Sequence, residues 1–185
     1  MNAYEHDNNI ILDLVCQSLE NPYDNLYLSN LRSNKPTLST GEIRRYCINL
    51  HSANCESITL SANTHEFPRI NYKNYNGNHY QYIYTALLTS PGELFFTQIQ
   101  KLNVQTGSIQ RWGKTNYYLG EAVFVPKTDS QQEDDGVLLS IAFNASTQLS
   151  SLIILDALSM HLVAEIYLPL HLPFGLHGNF YKNTQ

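Results

Sequence analysis

The feature that most constrains this 185-residue chain is a strand–turn–strand signature that recurs at almost equal intervals. Arg45 to Ser52, Gln100 to Gly107 and Ile153 to Ser159 each run an apolar strand into an Asn or Asp, turn through small polar residues and start another strand. Their anchors, Asn49, Asn103 and Asp156, stand 54 and then 53 residues apart. That interval is within reach of the roughly 40 to 50 residues of a four-stranded propeller blade. A sandwich also yields many short strands but has no reason to repeat one signature at this spacing. A ring takes about four to eight blades, and this chain has length for three or four. It is therefore a four-bladed propeller or part of a larger ring.

The surrounding pattern is all-β. Strands are expected at Asn9 to Val15, Ile43 to Leu50, Ser57 to Ser61, Tyr80 to Leu88, Phe95 to Val104, Ser108 to Trp112, Ala122 to Val125, Val137 to Asn144, Leu152 to Asp156 and Leu162 to Leu168. Each is short and rich in β-branched or aromatic residues. Turn chemistry stands at Asn76-Gly77, Thr106-Gly107 and Asp135-Gly136. The only helix-like stretch is near Cys16 to Leu19. Residues 18–41, with breakers at Asn21-Pro22 and Lys35-Pro36, read as one long loop. The alternating Tyr80, Tyr82 and Tyr84, beside Tyr72 and Tyr75, fit core packing on a strand better than a stacking platform.

At 43% hydrophobic and 15% charged residues the chain has material for one domain with a sizeable core. A net charge of −5 offers no basic stripe, which excludes nucleic acid as the expected partner. With neither a spanning apolar run nor a leader pattern at Met1 to Asp7, the expected location is cytoplasmic, at most peripheral to a membrane. Cys16, Cys47 and Cys55 form no C-x-x-C and are expected as reduced core thiols.

His177 is the first candidate for chemistry. It lies in Pro173-Phe174-Gly175-Leu176-His177-Gly178, where glycines leave room for an imidazole to reach a crowded centre, although a lone His near a chain end is more often structural. His6, His51, His65, His79, His161 and His171 form no H-x-x-x-H or H-E-x-x-H spacing. Glu66 and Glu121 sit in apolar surroundings where a charge is costly. Each could serve a metal-bound histidine N–H, form a plain ion pair, as Glu66 with Arg69, or simply be exposed. Glu133-Asp134-Asp135 reads as a solvated turn.

Glu66-Phe67-Pro68-Arg69-Ile70-Asn71, Tyr80 to Tyr84, Lys101-Leu102-Asn103, Gly120 to Pro126, Glu133 to Ser140 and Pro173 to Gly178 resemble, in order, the C-terminal portion of a carotenoid oxygenase. That family holds carotenoid and apocarotenoid cleavage dioxygenases, lignostilbene dioxygenases and the retinal pigment epithelium isomerase. The resemblance implies part of a seven-bladed β-propeller across residues 1–185. On its axis a non-haem Fe(II), held by four histidines, reacts with O2 and cleaves a conjugated double bond of a carotenoid or apocarotenoid substrate to aldehyde or ketone products.

By the same resemblance His177 is the last iron ligand, Glu121 holds its other ring nitrogen, and Glu66 does so for the third ligand. In the family that third histidine stands just before a segment like Asn2 to Glu5, and the first two lie further upstream. One imidazole does not hold Fe(II) usefully. The chain alone is expected to be inactive, to expose a strand edge and an apolar face, and to need a missing N-terminal portion as partner. The alternative is a non-catalytic propeller remnant or interaction module.

Overall fold

The computed structural model describes residues 1–17, 27–33, 41–90 and 93–182. Three antiparallel sheets follow one another along the chain, each built in sequence order. The first comprises β1 (Asn2–His6), β2 (Asn9–Gln17), β3 (Gly41–Asn49) and β4 (Cys55–Ser61). The second comprises β5 (His65–Arg69), β6 (Tyr82–Leu87), β7 (Gln98–Asn103) and β8 (Ile109–Gly113). In the third, β9 (Tyr117–Leu119) and β10 (Val123–Pro126) both pair with β11 (Gly136–Asn144), which continues into β12 (Leu149–Asp156) and β13 (Leu162–Tyr167). These are three blades of a β-propeller. Two single helical turns, α1 (Leu28–Leu31) and α2 (Tyr72–Tyr75), complete the described elements.

The repeat in the sequence is the blade itself. Asn49, Asn103 and Asp156 each close the third strand of a sheet, where the side-chain Oδ1 accepts backbone N–H groups of the turn beyond. The donors are Ser52 at 2.9 Å, Gln105 at 2.9 Å and Ser159 at 2.7 Å. Asn144 does the same at the β11–β12 turn, accepting from Ser146 at 2.9 Å.

Strand alternation then sorts the cores. Ile83 and Leu102 of the middle sheet pack with Tyr4 and Ile43 of the first, while their strand neighbours Tyr84 and Ile99 pack with Leu138, Ile153 and Leu155 of the third. The middle sheet is covered on both faces, whereas Leu14 of the first sheet and Ile141 and Ile166 of the third remain exposed. Of the tyrosine patch, Tyr80 and Tyr84 are core residues and Tyr72 and Tyr75 lie on α2.

Three expectations need correction. Glu133 and Asp134 are not a solvated turn: the Glu133 carboxylate accepts the backbone N–H groups of Gln81 and Tyr82, and Asp134 is buried against Lys101 Nζ at 2.6 Å. They join the third blade to the second. Cys16 belongs to β2, not to a helix, because its backbone pairs with Glu42 across the sheet; Ser18 and Leu19 lie outside the described residues. The thiols are free, but Cys55 is exposed on the edge strand β4 rather than in the core. The expected loop falls mostly outside the described residues, apart from 27–33 with its turn α1.

His65 opens β5, fully buried, with Nδ1 2.9 Å from Thr85 Oγ1 and Nε2 2.8 Å from Ser61 Oγ. It thereby ties the end of the first blade to the second. Burial, helped by the Arg111 charge, pushes its pKa down from 6.5 to about 4. A depressed folded pKa stabilises fully above the unfolded value and is lost as pH falls through the folded one. We expect about 3 kcal/mol of stability to disappear between pH 6.5 and 4. Urea midpoints measured across that window for the wild type and for His65→Gln check this, and equal slopes for the two proteins would contradict it.

Candidate functional site

Glu66 and Glu121 stand 55 residues apart, near one blade period, and each sits at an irregularity in the first strand of its blade. In β5 the register slips between Glu66 and Arg69, with Phe67 at φ +52°. A bulky residue in that left-handed region is strained. In the third blade the first strand breaks between β9 and β10, and Glu121 lies in the break, flanked by Gly120 N donating to Ile141 O at 2.8 Å. Irregular backbone releases these side chains from strict alternation.

The structure brings His177 and Glu121 together. His177 Nδ1 is 3.1 Å from Glu121 Oε1, and Gly178 N donates to Oε2 at 2.8 Å. Arg69 completes the arrangement as a fork, Nε to Oε1 at 2.7 Å and Nη2 to Oε2 at 2.9 Å. Four donors then occupy about four acceptor positions of one carboxylate. Because an ionised carboxylate only accepts, Nδ1 carries a proton, and in the neutral ring the lone pair is on Nε2. Burial pushes the Glu121 carboxyl up, but Arg69, Gly178 and His177 outweigh it and hold it below the ordinary range. The Glu121 side chain is 6% exposed and that of His177 65%, so the carboxylate is fixed while the ring faces outward. The Phe67 ring stands edge-on to His177 at 5.6 Å.

Glu66 has a different partner. It accepts from Gln17 Nε2, and burial pushes its carboxyl up against the opposing pull of Gln17, the Phe67 N–H and His177. The Glu66–Arg69 pair entertained from sequence is replaced by Arg69–Glu121, a link across 52 residues that no local spacing announces. The glycines around His177 are not packed closely: a Cβ at Gly175 would meet nothing within 4 Å, and one at Gly178 only Val123 Cγ2 at 3.8 Å.

Beside His177, residues 172–180 lie over one face of the third blade and form with it an open cavity of about 440 Å³, with Leu139, Ile141, Phe143, Leu152 and Phe174 in its wall. Among the described residues no group of three or more His, Cys, Asp or Glu is placed to hold a metal ion. The donor chemistry nonetheless fits one metal ligand: an outward imidazole, its free lone pair on Nε2 and its Nδ1–H held by a carboxylate. No helix among the described residues is long and apolar enough to cross a membrane.

Known proteins resemble this chain in sequence and in fold. The chain is 31% identical to human β,β-carotene 15,15'-dioxygenase and 31% identical to the apocarotenoid-15,15'-oxygenase of Synechocystis, over 97% of its length in both cases. It spans 38% and 37% of those proteins, and so corresponds to a portion of them. The solved structure of cobalt-substituted Synechocystis apocarotenoid oxygenase superposes with a TM-score of 0.87 at 27% identity, covering 98% of this chain and 38% of that one. The model of the retinal pigment epithelial membrane protein family, RPE65, matches residues 1–182, and with agreement over nearly its whole length in sequence and in fold the chain belongs to that family.

Proposed function

We propose that this chain is the C-terminal part of a non-haem Fe(II) carotenoid or apocarotenoid cleavage dioxygenase, in which His177 is an iron ligand and Glu121 holds its ring. The observation that carries the reading is the His177–Glu121 contact, which engages Nδ1 and leaves Nε2 as the ring nitrogen available to a metal, in a chain whose relatives are named as a carotene dioxygenase and an apocarotenoid oxygenase. Fe(II), when bound, supplies the reaction with O2 that splits a conjugated C=C bond into aldehyde or ketone products. The chain's own part is to present one imidazole, to orient it through Glu121, and to offer an apolar cavity suited to a polyene. Glu66 orients a further histidine brought by an N-terminal portion that completes a seven-bladed ring.

On this reading the 185-residue chain alone is inactive and binds Fe(II) weakly, since one neutral imidazole does not make a stable site. The test completes the ring with an N-terminal portion, encoded upstream or supplied by the Synechocystis enzyme, and measures metal content and apocarotenoid cleavage. In that ring Glu121→Gln is expected to weaken iron affinity ten- to a hundredfold, read by competition with a chelator. Unchanged affinity would contradict the assignment of Glu121.

A second reading is a non-catalytic β-module that binds another chain. It is favoured by the exposed apolar side chains of the edge strand β13, among them Val163, Ile166 and Tyr167, and by the absence of a multi-ligand group among the described residues. A completed ring that takes up no metal would select it.

A further inference from the structure

We propose that Arg69 is the positioning residue of this site: one guanidinium fixes both the carboxylate that holds the imidazole of His177 and the backbone that carries it. The consequence for a metal rests on the reading of His177 given above; the clamp itself does not.

Arg69 ends β5 in the second blade, and its side chain is 16% exposed. Besides its fork on Glu121, Nη2 donates to Gly178 O and stands 3.5 Å from Asn179 Oδ1. Three segments, the end of β5, the break between β9 and β10 and the C-terminal tail, thus meet on one side chain, although Gly178 is 109 residues away in sequence. Residues 168–182 form no strand or helix, and Phe174, Leu176, Phe180 and Tyr181 are 52%, 69%, 52% and 84% exposed. The earlier part of the tail is held to the third blade and its loop, with Leu168 N donating to Ser150 O at 2.9 Å, Ser150 N to Leu170 O at 3.2 Å, Leu172 N to Ser150 Oγ at 2.9 Å and the Phe174 ring stacked on Phe95 at 4.4 Å, so the Arg69 clamp acts on the segment around Gly178.

Removal of the guanidinium leaves the nearly buried Glu121 without its cation and Gly178 O without its donor. The carboxylate is then free to turn away, and the ring loses its fixed direction. Lysine does not substitute, because a point ammonium cannot satisfy two carboxylate oxygens and a carbonyl in one plane.

The test uses the metal-free 185-residue chain labelled at the histidine ring nitrogens. Spectra are recorded at one pH near 8, with the His177 signal assigned by its loss in His177→Ala. The wild type is expected to show His177 as the Nδ1–H tautomer. In Arg69→Ala and Arg69→Lys the ring should relax to the tautomer mixture of free imidazole, and amide exchange over residues 177–182 should quicken by about tenfold or more. His65, four residues before Arg69 on the same strand, is the internal control and should keep its signals.

An unchanged His177 tautomer in Arg69→Ala overturns the proposal. So does loss of the His65 signals together with those of His177 in both variants, which would make Arg69 a residue of the fold only. Metal retained by a completed ring carrying His177→Ala would refute the iron reading while leaving the clamp, read without metal, standing.

Discussion

His177→Ala in the completed ring is expected to take bound iron from near one per chain to below about a tenth, and to abolish cleavage with it. On the proposed reading a four-histidine site loses one donor, and alanine offers neither an atom to replace it nor a partner for Glu121. The carboxylate keeps Arg69 and the Gly178 N–H, so the surrounding fold has no reason to fail. Thermal unfolding of the metal-free variant should therefore match the wild type within about 0.5 kcal/mol, as for a change at an exposed side chain. Metal analysis beside a melting curve separates the two effects. Iron content equal to that of the wild type would remove His177 from the site.

Lys101→Ala is expected to destabilise this chain strongly, by about 3–5 kcal/mol. Lys101 Nζ is buried, donates to Asp134 at 2.6 Å and to the carbonyls of Ala157 and Leu158 at 2.9 and 3.0 Å, and lies 4.4 Å over the Tyr82 ring. Its loss strands the Asp134 charge and two carbonyls between the second and third blades. For a domain of this size the melting temperature should fall by about 10 °C. The double replacement Lys101→Met with Asp134→Leu should recover most of the loss, because the penalty comes from an unpaired buried charge more than from a missing attraction. Additive effects of the two single changes would show that the pair does not act as a unit.

The same pair marks the limit of what was legible in the chain. Blade period, most strands and the closing turns could be read locally. Asn49, Asn103 and Asp156 bond to backbone two or three residues on, and Ile83 and Tyr84 divide between two cores by alternation alone. The short strands β1 and β9 were not expected. Asn2–His6 is largely polar and Tyr117–Leu119 has three residues, and both are strands because β2 and β11 offer them ladders. Of the site residues, Glu66, Glu121 and His177 were singled out from sequence, whereas the partner of Arg69 was not.

The sequence by itself determined the class of the fold, its repeat and the residue types available for chemistry. Strand alternation and Asn, Asp and Gly turns act over a few residues, so their physics is written in adjacent letters. Only the tertiary structure decided which charges meet: Lys101 with Asp134, 33 residues on, Arg69 with Glu121, 52 residues on, and His177 with Glu121, 56 residues back. The acidic run at Glu133 and Asp134 looked solvated because composition reports a charge and not its neighbours. Whether a carboxylate is solvated, paired or holding an imidazole depends on distances of about 3 Å between segments that the fold alone brings together.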